Sequence, residues 1–318
     1  MRVTSLGSGS SGNAYLIEAG PQGRTRLLVD AGFNMRTLVD RLHQARCAPG
    51  QLQGVLVTHE HSDHILGLPM LVKYHHVPVF ADPLTLIQIR AILSSGELRS
   101  ESGTLIRLEI EASSASTDGN GLLTREEVTL LQRPGVPNED TFWRPLPVGT
   151  SCVIGDIEVY SFPVSHDAVA PCGYVLSAGG CRVCIVTDSG EVTPTMLGAI
   201  AQADLLILES NHDRARLLAG PYPYYLKMRI LSPTGHLSND QAAETVLRTW
   251  RRDGLRWLWL AHLSRTNNTP KLALSSMQKN LRDAGASLEQ IHISVLSPDV
   301  GSAWDSTLLW KDTHLWEM

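Results

Sequence analysis

Short apolar runs, separated by glycine-rich and polar turns, recur along most of the chain and predict an α/β protein. Alternating or continuous apolar positions predict strands at residues 3–6, 14–18, 25–29, 54–57, 77–81, 151–154, 157–161, 173–177, 182–187, 205–209 and 257–260. Apolar positions at helical spacing predict helices at residues 65–74, 84–94, 192–201, 239–250 and 271–284. Strands followed by interleaved helices occur in both halves of the chain, so we expect two similar halves packed face to face.

Residues 96–147 break this pattern because they are rich in Ser, Glu, Gly and Pro, and we interpret them as an insertion into a single domain of residues 1–318. Within the insertion, residues 116–127 resemble a twelve-residue EF-hand calcium loop. The candidate calcium ligands are Ser116, Asp118, Asn120, Leu122, Thr124 and Glu127. Ser116 stands where Asp is usual and the loop is unpaired, which favours the alternative, a plain polar turn.

The composition limits the class of protein. With 318 residues and 43% hydrophobic content, the chain can bury a sizeable core. Neither a signal peptide nor a run of 18 apolar residues occurs, so neither secretion nor membrane association is expected. The five cysteines show no framework spacing, which favours a cytoplasmic protein, and Cys181 and Cys184 are expected on opposite faces of one strand as ordinary buried thiols.

The net charge of −5 disfavours sequence-independent binding to a polyanion. It does not exclude a nucleic-acid substrate, because bound divalent cations would make a site locally positive.

The densest group of candidate ligands follows the predicted strand 54–57. The stretch from Thr58 to His64 contains three imidazoles and an Asp carboxylate, ligands that transition metals prefer. His59 and His61 can reach one ion while Asp63 and His64 face a second, and two ions about 3.5 to 4 Å apart would fit a two-metal centre. A surface loop with scattered histidines is the disfavoured alternative.

Further candidate ligands follow other predicted strands, where the sites of α/β enzymes usually lie. These residues are His166, Asp188 and His262. Each of them alone is more typical of an ordinary buried or surface residue, but three in this position together with the cluster indicate a metal centre.

Five motifs resemble those of the metallo-β-lactamase superfamily. They are Leu28 to Gly32, His59 to His64, Ser165 to Asp167, Val186 to Gly190 and Ala261 to Ser264. The resemblance implies a four-layer αββα sandwich. It also implies one ion held by His59, His61 and His166, a second ion held by Asp63, His64 and His262, Asp188 bridging both, and Asp30 orienting the histidines.

Four segments resemble the YycJ/WalJ subgroup more narrowly, and the 96–147 insertion departs from that pattern. The segments are 6–13, 208–213, 226–232 and 235–239. Members of this subgroup are regarded as cytoplasmic DNA exonucleases acting from 5′ ends, so DNA is the expected substrate. A site rich in His and Asp accepts zinc, manganese or iron, and His61 favours a hydrolytic zinc or manganese centre.

Two divalent ions would lower the pKa of a bridging water and create a hydroxide that attacks phosphorus. The residues expected to carry catalysis are Asp63, Glu209 and His236. The resemblance suggests that Glu209 orients His236, which then protonates the leaving oxygen. The alternatives are a plain carboxylate at a strand end and a loop histidine before the helix N-cap.

Substrate phosphates are expected near the glycine-rich turn and near a basic segment. The candidate residues are Ser10, Ser11, Asn13, Lys227 and Arg229. A tight hairpin and a solvated face are the respective alternatives.

The function best supported by the sequence is therefore a two-metal phosphodiesterase that acts as a 5′ exonuclease on DNA. A thioester or amide hydrolase of the glyoxalase II or lactamase type and an RNA-processing nuclease are alternatives. An iron redox protein and a non-catalytic scaffold are less favoured.

Overall fold

The computed structural model describes residues 1–99, 105–107, 142–251 and 255–311. Two seven-stranded sheets lie face to face. The first contains, in spatial order, β16 (Ala303–Asp305), β1 (Arg2–Gly7), β2 (Ala14–Ala19), β3 (Thr25–Val29), β4 (Gly54–Leu56), β5 (Val79–Ala81) and β8 (Trp143–Pro145). The second contains β15 (Ile291–Val295), β14 (Arg256–Ala261), β13 (Leu205–Glu209), β12 (Cys181–Val186), β11 (Cys172–Ala178), β10 (Ile157–Pro163) and β9 (Ser151–Ile154). β6 (Glu97–Arg99) and β7 (Leu105–Arg107) form a separate pair.

Helices cover the outer faces of the sheets, so the chain is a four-layer αββα sandwich, as predicted from the sequence. The helices are α1 (Met35–Gln44), α2 (Ser62–Ile65), α3 (Leu68–His75), α4 (Pro83–Ser95), α5 (Pro194–Ile200), α6 (Arg214–Ala219), α7 (Tyr224–Ile230), α8 (Asn239–Arg248), α9 (Pro270–Asp283) and α10 (Leu308–Lys311). Among the residues that the structure describes, no helix is both long enough and apolar enough to cross a membrane.

The alternation of side chains along each strand produces the layers. Leu27 and Val29 of β3 belong to the core between the two sheets, whereas Leu28 packs outward with Leu38 and Leu42 of α1. Because both faces of these strands are buried, their sequences are apolar at almost every position.

The cysteines follow the same rule. Cys181 lies in the core between the sheets and Cys184 in the core beneath the outer helices, and both thiols are free. Burial raises the pKa of each of these two thiols to about 12, so both stay protonated and unreactive at neutral pH. The prediction of ordinary buried thiols is confirmed.

The direction of the strands indicates which edge of each sheet carries the functional loops. β3, β4, β5 and β8 run parallel, as do β12, β13, β14 and β15. The carboxyl ends of parallel strands share one edge of a sheet, and loops at this edge usually carry the functional residues.

The predicted helix 65–74 is present as α3 from Leu68 onward, but it is not continuous, because α2 and α3 separate around Gly67. The Gly67 amide donates to the Ala31 carbonyl, and a Cβ at Gly67 would press on the Phe33 carbonyl. Pro69 lies in the first turn of α3, a position that suits proline because the amide there needs no helical acceptor.

Several elements were not anticipated from the sequence. The helix α1 begins after the N-cap Asn34 and buries Leu38 and Leu42, one turn apart, and this signal was overlooked. The strands β15 and β16, each at an edge of a sheet, were also missed.

The segment predicted as an insertion is only partly described. Its last strand, β8, pairs with β5, so the first sheet resumes before residue 147. The EF-hand-like loop at 116–127 lies outside the described residues.

Candidate metal centre

Loops at the carboxyl ends of strands from both sheets bring the predicted site residues together in one place. Asp30 follows β3, the 59–64 cluster follows β4, His166 follows β10, Asp188 follows β12, Glu209 ends β13 and His262 follows β14. All of them are buried except the half-buried His61.

Three imidazoles form the first group. The Nε2 atoms of His59 and His166 lie 3.1 Å and 3.2 Å from Nδ1 of His61. One nitrogen from each ring therefore faces a common point, and these atoms all lie within 4.8 Å of one another. Three converging imidazoles are a frequent ligand set for a transition metal.

The second group consists of Asp63, His64 and His262. Oδ2 of Asp63 lies 3.4 Å from Nε2 of His64 and 3.4 Å from Nε2 of His262. Asp188 connects the two groups, since its carboxylate lies 3.0 Å from Nε2 of His64 and also forms a compact set with His59 and His64. The arrangement provides two adjacent positions for a cation.

The opposite nitrogen of three buried rings contacts a fixed partner. Nδ1 of His64 lies 2.8 Å from Asp30, and Nδ1 of His166 lies 3.0 Å from the Gly235 carbonyl. Nδ1 of His262 lies 3.0 Å from Glu209 and also 2.8 Å from Asp188. Metal-binding histidines usually have such a partner, because it selects the tautomer and fixes the ring.

Asp30 orients two of the candidate histidine ligands. Its carboxylate accepts hydrogen bonds from the Thr58 amide at 2.9 Å and hydroxyl at 3.0 Å, besides contacting His64. The Thr58 hydroxyl also lies 3.0 Å from Nδ1 of His59, so one carboxylate orients His64 directly and His59 through Thr58. Asp30 has φ +60° and His262 has φ +52°, conformations that non-glycine residues adopt mainly where surrounding structure enforces them.

Several buried polar atoms in the centre lie close to imidazole or carboxylate atoms but make no hydrogen bond of acceptable geometry within the described part of the chain. They are Oδ1 of Asp63, both carboxylate oxygens of Asp188 and Nε2 of His262. Buried polar atoms are rarely left unsatisfied, and divalent cations would satisfy all four. With its mixed nitrogen and oxygen donors, this set of residues fits divalent metal ions.

Burial and the contacts between imidazoles and carboxylates shift the pKa values of the residues in the centre. Burial, reinforced by the neighbouring imidazoles, holds the pKa of His59 well below its usual range, which favours the neutral ring that can bind a metal. Burial also acts to lower the pKa of His64 and His262, but the facing carboxylates outweigh it and raise both pKa values well above the usual range. Burial acts to raise the pKa of Asp63 and Asp188, yet the imidazoles hold both well below the usual range.

Comparisons with known proteins agree with this geometry. A model of the beta-lactamase superfamily domain matches residues 25–253. The chain belongs to the beta-lactamase superfamily. It is 32% identical over 279 residues to the exodeoxyribonuclease WalJ of Streptococcus pneumoniae serotype 2, which covers 88% of this chain and 87% of that protein. It is 33% identical over 280 residues to the exodeoxyribonuclease YycJ of Bacillus anthracis, covering 88% of this chain and 89% of that one.

These two relatives place this superfamily member in the YycJ/WalJ-like subgroup, so the resemblance read from the sequence motifs is confirmed. The fold agrees with solved structures. The metallo-beta-lactamase fold protein YhfI from Bacillus subtilis superimposes with a TM-score of 0.60 at 17% identity, covering 96% of this chain and 99% of that one.

Glu209 of this beta-lactamase superfamily member lies next to the candidate metal ligands and is completely buried. Its Oε1 lies 2.7 Å from Nδ1 of His236 and 3.0 Å from Nδ1 of His262. Its Oε2 accepts hydrogen bonds from the amides of Ser189 and Leu237, both at 3.0 Å. The carboxylate therefore holds His236 and a candidate metal ligand at the same time.

A cleft of about 190 Å³ opens beside His236. Of the predicted phosphate-binding residues, Ser10 and Arg229 line it. Ser11 is exposed and accepts a hydrogen bond from Arg265, and Lys227 donates to the Leu218 carbonyl at 2.7 Å. Lys227 and Arg229 lie on the helix α7.

Asn13, predicted to bind substrate, does not line the cleft and lies against the metal centre instead. Its side chain is fully buried and accepts a hydrogen bond from the Gly9 amide at 3.0 Å. Its Nδ2 lies 3.4 Å from Oδ2 of Asp63 and 3.3 Å from Nε2 of His64. Asn13 therefore holds the glycine-rich turn against the metal centre.

Three contributors were missed from the sequence. Thr58 carries the contact between Asp30 and His59, and its position directly before the cluster was an available signal. Asp167 and Tyr222 line the cleft, but nothing in the local pattern around Tyr222 indicated this.

Proposed function

We propose that this chain is a metal-dependent exodeoxyribonuclease that hydrolyses DNA phosphodiester bonds from the 5′ end. The observation that carries the proposal is the contact of the Glu209 carboxylate with both His236 and His262, which supports His236 as a proton donor beside a centre suited to divalent cations. The similarity to relatives named exodeoxyribonucleases supports DNA as the substrate.

We assign the two groups of ligands to two divalent cations, zinc or manganese, with iron as an alternative. His59, His61 and His166 would hold one ion, Asp63, His64 and His262 the other, and Asp188 would contact both. Bound at these positions, the ions would activate water and neutralise the charge that develops on the phosphate oxygens.

His236 supplies the proton that the leaving oxygen needs. Nδ1 of its ring donates to Glu209, and we assign the proton transfer to Nε2, the other nitrogen of a ring that lines the cleft. When the P–O bond breaks, the departing alkoxide takes the proton from Nε2, and the buried carboxylate stabilises the ring as a cation before the transfer.

Ser10 and Arg229 line the same cleft and would bind phosphates of the DNA strand. Arg229 is already oriented, because its Nε donates to Oδ2 of Asp167 at 2.6 Å. We place the activity in the cytoplasm, which the five free thiols support.

The test is release of label from DNA carrying a 5′ or a 3′ label, single-stranded and duplex, with added manganese or zinc. The wild type is compared with His236→Ala and with His43→Ala, which alters an exposed histidine of α1 that belongs neither to the metal centre nor to the cleft. Metal-dependent release of mononucleotides from the 5′ end, lost in His236→Ala and retained in His43→Ala, is the expected result.

Matched RNA and a thioester are assayed in parallel. Hydrolysis of either of these in place of DNA would overturn the assignment of the substrate. Unchanged DNA degradation by His236→Ala would overturn the role of this histidine.

A further inference from the structure

The segment of residues 214–237 borders the cleft and differs in composition from the rest of the chain. It contains four cations and no Asp or Glu, whereas the whole chain has a net charge of −5. The cations are Arg214, Arg216, Lys227 and Arg229. The segment also contains three tyrosines, Tyr222, Tyr224 and Tyr225, so positive charge and aromatic rings occur together at this side of the centre.

The helix α7 turns one face toward the cleft. Leu226, Arg229 and Ile230 line the cleft, and they share one face because they are three or four residues apart. Tyr225 lies one turn before Arg229, about 40° around the helix from it, so the two side chains leave the helix on the same side. Tyr224 lies about 160° around the helix from Leu226 and therefore faces away.

Tyr225 is 71% exposed and Tyr224 is 77% exposed, so neither ring contributes much to the core. Single exposed aromatic residues are common on protein surfaces and need no explanation by themselves. Tyr225 differs from Tyr224 because it lies one turn before Arg229, a residue that lines the cleft.

Tyr222 is held in place by its neighbours in the sequence. It lies between Pro221 and Pro223, whose rings restrict the backbone on both sides, and its side chain lines the cleft. A ring that is already positioned loses little conformational entropy when a ligand stacks on it.

Arg229 connects this edge of the cleft to the metal centre. Its Nε donates to Asp167, the residue that follows the candidate ligand His166. The guanidinium therefore has a defined position relative to the phosphate that would be hydrolysed.

We propose that Tyr222, Tyr225 and Arg229, called the aromatic rim, bind unpaired bases and a backbone phosphate of the DNA strand whose phosphodiester lies at the metal centre. The proposal rests on the proposed nuclease function and adds the substrate class, a strand with single-stranded bases next to the cut. Aromatic rings stack on any base because every base has a π face, but a paired and stacked base does not expose it. The rim therefore selects unpaired ends and has little sequence preference.

The test measures binding separately from cleavage. Fluorescence anisotropy is recorded with a labelled single-stranded oligonucleotide and with an abasic backbone of the same length, in buffer containing a chelator. The variants are Tyr225→Ala, Tyr225→Phe and Tyr222→Ala, and Tyr224→Ala is the matched control because it removes an equally exposed tyrosine from the opposite face.

Tyr225→Ala and Tyr222→Ala should each weaken binding of the single strand about tenfold, while Tyr225→Phe retains most of the affinity because it keeps the stacking ring. Binding of the abasic backbone should change less than about twofold in every variant, since phosphate contacts remain. Tyr224→Ala should match the wild type on both ligands.

Equal losses in Tyr225→Ala and Tyr224→Ala, or an equal loss on the abasic backbone, would overturn the aromatic rim. Cleavage of DNA by a Tyr225→Ala variant that binds like the wild type would overturn the rim and leave the nuclease function standing. The expected binding pattern without metal-dependent cleavage would overturn the nuclease function and leave the rim standing. Thermal denaturation of each variant excludes unfolding as the cause.

Discussion

Oε1 of Glu209 lies 2.7 Å from Nδ1 of His236, in a site where the carboxylate is fully buried. The same oxygen lies 3.0 Å from Nδ1 of His262. One carboxylate thus contacts both the proposed proton donor and a candidate metal ligand. Proton donation and metal binding must therefore be tested with separate substitutions.

His236→Ala should lower kcat for DNA about 10² to 10⁴-fold while the bound metal stays unchanged, because general acid catalysis is lost and the two ligand groups remain. Glu209→Gln should lower both kcat and metal content, since the support of His262 is weakened as well. Steady-state kinetics and elemental analysis of the same samples check both outcomes. Loss of metal from His236→Ala would show instead that this histidine is a ligand, a role that its proximity to Asp188 and His262 permits.

Removal of divalent ions with a chelator should abolish activity and lower the Tm. A ligand that binds only the folded state at 100 times its Kd stabilises that state by about 2.7 kcal/mol, and here the ions would also satisfy the buried oxygens of Asp63 and Asp188. Differential scanning calorimetry before and after chelation, and after return of zinc or manganese, measures the effect. If the Tm stayed the same after chelation and after return of metal, in protein shown by elemental analysis to lose and regain metal, stabilisation by the ions would be contradicted.

Gly32→Ala should destabilise the protein by about 1 to 3 kcal/mol and reduce its metal content. A Cβ on Gly32 would overlap the Asp63 carbonyl and press on the Asn13 amide, so the loop that carries Asp63 must move. Gly198→Ala is the matched control, because a Cβ there meets no atom within 4 Å among the described residues. Urea denaturation should show Gly198→Ala to be neutral or up to about 1 kcal/mol more stable, since alanine favours the helix α5.

The turn between β9 and β10 provides a prediction about pH. Asp156 accepts hydrogen bonds from Arg24 at 2.6 Å and 2.8 Å and from the Thr25 hydroxyl at 2.6 Å. These hydrogen bonds, chiefly that of Arg24, lower the pKa of Asp156 from 3.8 to about 2. Because the folded pKa is the lower one, the stabilisation is present above pH 3.8 and is lost as the pH falls toward 2.

Asp156→Asn should therefore lower the stability at pH 7, and its difference from the wild type should shrink as the pH falls from about 4 to about 2. Urea denaturation at several pH values measures this. Arg24→Gln removes the same ion pair, so adding Arg24→Gln to Asp156→Asn should cost little more. A difference that stays constant with pH would show that the charge of Asp156 does not contribute.

Local sequence carries the information for most of the strands and for the position of the ligand cluster. Alternation along β3 assigns Leu27 and Leu28 to opposite faces. The 59–64 cluster, which enters α2 at Ser62, follows β4 because the apolar run ends there. Both features depend only on neighbours in the chain, which is why periodicity predicted them.

Tertiary structure decided which of these residues meet and which way they face. His61 and His166 are 105 residues apart, and their contact depends on the packing of one sheet against the other. The burial of Asn13, the break at Gly67 and the placement of Arg229 beside the cleft likewise depend on distant backbone. The sequence by itself determined which side chains are present and which local elements they form. The packing of the two sheets determined which of these side chains meet in the site, because local sequence patterns contain no information on contacts between distant segments.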